Sequence, residues 1–329
     1  MSCKEIYINV NSISNLNGSL LTMVDDFGNY VFYNLDSSLL TGSYSVGNTS
    51  SSYRLTSFTQ SGYWTECGMA NDLDANAFII AANITNETQK NAIRKLVTDL
   101  KSANIWTKFK AIYPMVGGSS FSCKFNLKDP RDLDAAFRLG FTGSATFSST
   151  GIQFAGVSNA YTYLVPIVEL TQNDTHISYY SRTDNAAGYH CEMGVNSAGT
   201  QDFSSSLSMY VRYANGSFIS DHYSFPNSRI SVSSGPTATS AGYYISSRIS
   251  SNDFRVYKNS TQESSSAGNA GTIPDKEIYI GALNDFDNPV WITNRECAFA
   301  TIGYGLDPTQ VTNLYNAVNT FQTTLGRNV

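Results

Sequence analysis

Between residues 111 and 306 the chain repeats one pattern. A short stretch rich in aromatic and β-branched residues is followed by a cluster of Gly, Asn, Asp, Pro or Ser. The stretches are CKFNL, AAFRLGF, TYLVPIVEL, HISYYSR, YHCEMGV, LSMYVRY, YYISSRI, FRVYKN, KEIYIGAL and CAFATIG. Turn chemistry separates them at TDNAAG, ANGS, SGPTATSAG, NAGTIPD and NDFDNP. Short strands at close intervals, with no helices alternating between them, exclude a βαβ architecture. They predict an all-β fold in which two antiparallel sheets stack face to face. The Ser- and Gly-rich stretches VSSGPTATSAG and QESSSAGNAG read as surface loops of that sandwich.

Two regions depart from the pattern. Residues 68–110 predict two helices that connect to the sandwich and pack on it. The first starts at an Asp74 cap, buries Phe78, Ile79 and Ala82, and ends at Asn83 in a left-handed conformation. The second is capped by Thr85, with Glu87 in its first turn. Its apolar stripe is Ile93, Leu96, Val97 and Leu100, at i, i+3, i+4 and i+7. Lys90, Arg94, Lys95 and Lys101 fall largely outside the stripe and, offset by Glu87 and Asp99, read as a solvated face. A third helix closes the chain. Asp307 caps it, Pro308 takes the first helical position, and Val311, Leu314, Tyr315, Val318, Phe321 and Leu325 form one face. Gly326 ends it.

Residues 1–67 form a separate small β-module. KEIYINV alternates, and SLLTMV and YVFYNL flank DDFGN as a hairpin would. YRLTSFTQSGYW supplies a further strand. A module of this size lies near the lower limit for folding alone.

Composition narrows the function. Only 14% of the 329 residues are charged and the net charge is −5, which disfavours nucleic acid as a partner. No apolar run reaches the ~20 residues needed to cross a bilayer. MSCKEIYINV lacks the layout of a secretory signal, so synthesis in a cytoplasm is expected. The N-x-S/T triplets, such as that at Asn83, are then incidental. Cys3, Cys67, Cys123, Cys191 and Cys297 lie far apart with no C-x-x-C spacing, so zinc is not expected and free thiols are.

The strings AFIIAANITNETQKNAIRKLVTDLKSANIWTKFKAIYPMVGG, FNLKDPRDLDAAFRLGFTGSATFSSTGIQ, HISYYSRT and CAFATIGYGLDPTQVTNLYNAVNTFQTTLGR resemble a family of bacteriophage virion proteins. These are described as concanavalin A-like (lectin/glucanase) domains and occur among others in crAss-like phages. The resemblance spans residues 72–329. It implies a jelly-roll sandwich on a fibre, appendage or other component of the particle, exposed at the virion surface. By the same resemblance, residues 1–67 look like a module that docks onto other virion proteins, and a homo-oligomer, favouring a trimer, is expected.

A fold of this kind hosts enzymes as well as lectins, so the site residues decide. Glycosidases of the fold present an E-x-D-x-x-E strand, placing two carboxylates close enough for a retaining mechanism. That pattern is missing, and Glu169, Glu192, Glu263, Glu277 and Glu296 are isolated in sequence. The expectation is therefore no enzyme, with a glycan-degrading hydrolase or lyase as the alternative and a purely architectural capsid decoration as a third reading. Asp285 and Asp287 in NDFDNP read either as an ordinary turn or as oxygen ligands for calcium, the one cofactor in question. His190 and Cys191 are a poor nucleophile pair, because neighbours on a strand face opposite sides. For glycan binding the candidates are Tyr161, Tyr180, Tyr189, Tyr223 and Trp291, aromatics that neighbour polar residues.

Overall fold

The structure is a computed structural model. It describes residues 72–329 except 200–201, 224–225 and 234–237, together with the strand segments 7–9, 20–24, 30–34 and 52–54. The chain divides into two compact units, Met1–Asn76 and Ala77–Val329.

In the first unit, β1 (Tyr7–Asn9), β2 (Leu20–Val24), β3 (Tyr30–Asn34) and β4 (Ser52–Arg54) form two antiparallel pairs, β1 with β4 and β2 with β3. Val24 lies opposite Tyr30, as the hairpin reading of SLLTMV and YVFYNL requires. Cys3 and Cys67 lie outside the described residues.

Helix α1 (Leu73–Ala81) spans the boundary between the units, and α2 (Glu87–Ser102) follows. Both begin one acceptor away from the expected caps. Asp72 Oδ1 accepts from the Asp74 and Ala75 amides, so Asp72 caps α1 instead of Asp74. Asn86 Oδ1 accepts from the Gln89 amide at 3.0 Å, so Asn86 caps α2 instead of Thr85. In both cases a carboxylate or amide oxygen reaches the free N–H groups of the first turn. Asn83 is left-handed (φ 50°), as expected. The α2 stripe Ile93, Leu96, Val97 and Leu100 is buried, while Lys90 pairs with Glu87 and Lys95 with Asp99.

The strands of the second unit are β5 (Phe109–Tyr113), β6 (Gly140–Thr142), β7 (Thr146–Phe147), β8 (Ile152–Gln153), β9 (Asn159–Tyr161), β10 (Thr175–Ser181), β11 (Met193–Asn196), β12 (Ser206–Tyr210), β13 (Phe218–His222), β14 (Arg229–Val232), β15 (Gly242–Ser250), β16 (Asp253–Lys258), β17 (Thr261–Ser266), β18 (Tyr279–Ile280), β19 (Leu283–Asp285), β20 (Asn288–Val290) and β21 (Glu296–Gly303). One sheet runs β17-β16-β15-β10-β21-β8-β7, with β5 also on β21. The other runs β14-β13-β12-β11-β18-β9-β6, with β19 on β11 and β20 on β19. Among the described residues every strand pairing is antiparallel except β11 with β19. This is the expected two-sheet jelly-roll sandwich.

Strand alternation builds its interior. Ile177, Tyr179, Tyr244, Phe254, Val256 and Ile302 from the first sheet meet Met193, Val195, Leu207, Met209, Phe218 and Ile280 from the second. Each fully buried side chain of this size contributes roughly 1.5–3 kcal/mol. Polar bridges cross the same interior: the Ser220 and Ser246 hydroxyls are 2.7 Å apart, and His222 Nε2 lies 2.8 Å from Ser246 Oγ.

Helix α5 (Pro308–Thr324) seals the outer face of the first sheet. Asp307 and Gln310 form a capping box at its start, and Gly326 is left-handed at its end. Phe321 packs on Phe299 of β21, and α2 packs on α5. Tyr315 and Leu325, expected on the buried face, are only half-buried. Just beyond the helix, the buried Arg327 guanidinium donates to the carbonyls of Pro114, Met115 and Ala298.

Several expected strands are replaced by tighter structure. Residues 120–123 of the CKFNL region form a helical turn, α3 (Ser120–Cys123). The Asn126 amide then bonds the backbone of Lys110, Ile112, Lys128 and Ala136, holding a turn where a strand was expected. AAFRLGF begins as a 3₁₀ turn and becomes strand only at Gly140. In TYLVPIVEL, Pro166 starts a helical turn, α4 (Pro166–Glu169). Conversely, QESSSAGNAG is not all loop. Thr261–Ser266 is the edge strand β17, which faces solvent on much of its surface and needs no apolar face.

Candidate functional site

α5 covers the outer face of the first sheet and α2 packs on α5, while the outer face of the second sheet carries a cluster of aromatic rings. Alternation decides what it presents. Met193, Val195, Leu207 and Met209 point into the core, so Gly194, Asn196, Ser208 and Tyr210 point out. Beside them lies a second apolar cluster of Cys191, Tyr210, Ile219 and Leu283, with Phe203, Tyr213, Val290 and Trp291 packed over it.

Aromatic rings dominate this cluster. Phe203 and Trp291 stack, with centroids 5.5 Å apart and planes 28° apart. Tyr213 meets the Trp291 ring edge-on at 6.4 Å, and Tyr189 meets Tyr213 edge-on at 5.3 Å. Tyr210 lies beneath, 5.9 Å from Trp291. Tyr189 is the outermost ring, 61% exposed. Ring pairs of these geometries contribute about 0.5–1.5 kcal/mol each beyond area burial, which makes the assembly a stiff platform.

The backbone aims the indole. Trp291 has φ 49°, a left-handed conformation that costs a bulky residue about 1–3 kcal/mol. It directly follows β20, and its carbonyl accepts from the Cys191 amide at 2.7 Å. His190 Nδ1 lies 2.9 Å from the Ile292 carbonyl, tying the segment that carries Tyr189 to the one that carries Trp291.

Polar groups border the rings. Arg229 grips Asp221 with two bonds, Nε–Oδ1 at 2.6 Å and Nη2–Oδ2 at 2.7 Å, and its guanidinium lies 5.9 Å from the Phe203 ring. Ser208 donates to Asp221 Oδ2 as well, so both oxygens of this carboxylate are engaged. Burial pushes the Tyr210 phenol well above its ordinary range and that of Tyr213 up, so both remain neutral hydroxyls at physiological pH. Beneath the site Glu192 and Arg295 form a fully buried pair at 2.8 Å. Arg295 also donates to the Ala186 carbonyl, anchoring the segment that leads to Tyr189.

The structure brings together two of the five expected aromatic residues, Tyr189 and Trp291. Tyr161 lies on the same outer face but on β9, against Tyr163 and Tyr279. Tyr180 and Tyr223 are corrections. Tyr180 is buried against Tyr243 on the helix-covered face, where its hydroxyl accepts from the Val329 amide. Tyr223 is enclosed at the core, with its hydroxyl 2.8 Å from that of Thr175. Neither offers a ring face to a ligand.

Asp285 and Asp287, the candidate calcium ligands, lie in a hairpin. The two flank the tip of the β19–β20 hairpin, in which Phe286 and Asp287 both have positive φ, the geometry of a type I′ turn. Asp285 Oδ1 accepts from Asn196 at 2.6 Å, while Asp287 pairs with Lys276 at 2.6 Å. Their carboxylates have separate partners, and among the described residues no cluster of three or more His, Cys, Asp or Glu is arranged to hold a metal. Cys123, Cys191 and Cys297 are free, buried thiols, and burial pushes the Cys191 thiol well above its usual range.

Phe203, Tyr213, Tyr210 and Arg229 were missed by sequence reasoning. Tyr210 and Tyr213 have a sequence signal, since both lie in LSMYVRY. Phe203 and Arg229 have none, because they reach the site from a 3₁₀ turn and from an edge strand.

No protein-family model matches the chain, and no curated protein matches it in sequence. Solved structures do match. Domain 4 of AbnA, a GH43 extracellular arabinanase from Geobacillus stearothermophilus in complex with arabinotriose, is 15% identical over 63% of this chain and 98% of that chain, with a TM-score of 0.41. The CBM40 of the Ruminococcus gnavus IT-sialidase, bound to alpha2,3 sialyllactose, is 11% identical over 49% of this chain and 94% of that one, with a TM-score of 0.37. A mutant Trypanosoma rangeli sialidase displaying trans-sialidase activity is 11% identical over 70% of this chain and 39% of its own, with a TM-score of 0.44.

Proposed function

We propose that the aromatic cluster on the outer side of the second sheet binds carbohydrate, and that the chain is a non-enzymatic attachment protein of a phage particle. The observation that carries the binding reading is the ring platform of Tyr189, Tyr213, Trp291 and Phe203, outward-facing and held by a strained Trp291. Sugar rings have apolar C–H faces that lie on aromatic rings, while their hydroxyls take up polar groups at the rim. The virion reading rests on the resemblance of residues 72–329. In it, residues 1–67 dock on other virion proteins, and a homo-oligomer multiplies a weak single-site affinity.

The test is a glycan array probed with the purified full chain, followed by titration of the strongest ligand. Trp291→Ala should lower affinity by about 2 kcal/mol, roughly 30-fold, as expected for a central aromatic anchor. An array without signal, or a Trp291→Ala variant that binds as the wild type does, refutes the site. Shortening of polysaccharides during incubation would replace attachment by hydrolysis. A map of the intact particle tests the virion reading.

A further inference from the structure

We infer that the same face carries a second carbohydrate subsite, formed by Tyr161, Tyr163, Tyr279 and Asn159, and that the ligand is a linear glycan long enough to reach both ring clusters. This inference rests on the reading of the first cluster as a glycan site.

Register places the second cluster. Tyr161 of β9 lies opposite Tyr279 of β18 on one side and Gly140 of β6 on the other. Ala160 and Ile280, their neighbours, are in the core, so Tyr161 and Tyr279 face out on the side that also bears Tyr210. The Tyr161 ring lies 5.5 Å from Tyr279 and 6.0 Å from Tyr163. Gly140 makes room for this arrangement. A Cβ there would fall 2.6 Å from the Tyr161 ring and 2.7 Å from the Tyr163 hydroxyl. The glycine thus lets two tyrosines lie against the sheet backbone as a low platform.

The second observation is a polar group without a partner. Asn159 precedes Tyr161 by two residues, so it shares the outer face. It is 2% exposed. Its Oδ1 accepts from the Thr142 hydroxyl at 2.5 Å, but Nδ2 has no partner among the described residues. Turning the amide over would only transfer the vacancy to the oxygen, because Thr142 meets one end. Buried polar atoms in folded proteins are almost always bonded, so an unmet amide beside an aromatic platform suits a ligand hydroxyl.

Spacing sets the ligand. From β9 through β18 and β11 to β12 there are three strand steps, about 14 Å at the usual ~4.8 Å spacing. A disaccharide occupies one cluster, whereas a longer chain reaches both and gains from the linkage.

The experiment is calorimetric titration of the full chain with disaccharides and octasaccharides derived from chitin, cellulose and starch, and with size-fractionated bacterial capsular polysaccharide. The wild type should bind the long members at least about tenfold more tightly than the short ones. Tyr161→Ala should erase that advantage while leaving short-ligand affinity within about twofold. Asn159→Asp, which keeps the acceptor for Thr142 and removes the free donor, should do the same and stands in if Tyr161→Ala does not fold. Equal affinity of the wild type for short and long ligands, or a length advantage that survives in a folded variant, overturns the second subsite. Loss of binding in Trp291→Ala alongside either result leaves the first site standing. No binding of any probe by the wild type overturns both.

Discussion

Arg295→Met should be among the most damaging single substitutions in the second unit. Arg295 and Glu192 are both fully buried, and Nη1 lies 2.8 Å from Oε1. Glu192 also accepts from the Thr293 hydroxyl at 2.9 Å and from the Val211 amide at 2.7 Å. Removing the cation leaves a carboxylate in the interior without its counter-charge. Breaking a buried pair this way costs about 3–5 kcal/mol, a large share of the ~5–15 kcal/mol that holds a typical domain. For a unit of this size the loss corresponds to a fall in Tm of about 6–20 °C. Urea titration followed by tryptophan fluorescence, with calorimetric melting alongside, measures it. The double variant Glu192→Gln/Arg295→Met keeps a carbonyl acceptor for the Val211 amide, lets the new NH2 donate to the Thr293 hydroxyl and buries no charge, so it should recover at least about 1 kcal/mol. A loss below about 1 kcal/mol in the single variant, the range of a surface ion pair, would refute the reasoning. So would a double variant less stable than the single one. Because Arg295 holds the Ala186 carbonyl, the single variant should also weaken glycan binding through Tyr189.

Acid should destabilise the sandwich through its buried histidines. Burial holds His176 down to about 4 and His222 well below the usual 6.5. Their neutral forms are favoured in the fold while the unfolded chain gains protons below pH 6.5. Stability is therefore full above pH 6.5 and falls towards pH 4, by up to about 1.4 kcal/mol per pH unit for each histidine. Urea midpoints that stay level between about pH 7 and about pH 4.5 would contradict this. The described thiols should be inert in the native state, because they are buried and desolvation pushes the Cys123 thiol to about 11 and the Cys297 thiol higher still. Iodoacetamide at about pH 8 should modify Cys123, Cys191 and Cys297 only after unfolding, and native-state labelling seen by mass spectrometry would count against the packing.

Much of the fold was legible in local chemistry. HISYYSR, LSMYVRY, FRVYKN and CAFATIG became β10, β12, β16 and β21, because aromatic and β-branched residues between turn clusters suit a pleated surface. Asp307 and Pro308 opened α5, since capping depends on a few consecutive residues. NDFDNP became the β19–β20 hairpin turn for the same reason. CKFNL failed where local pattern was outvoted: one side-chain amide, Asn126, satisfied four backbone groups from three stretches of chain.

The sequence by itself determined which residues alternate along each strand, and therefore which of them share a side. It could not assign that side to the opposing sheet, to a helix or to water. Only the stacking of layers did so: it placed Tyr180 beneath the closing end of the chain and Tyr223 in the core, left Tyr189 and Trp291 facing out, and brought Phe203 and Arg229 to them across strands. The physical reason is range. Turns, caps and alternation follow from neighbours a few residues apart, whereas exposure of a ring depends on which distant layer lies over it.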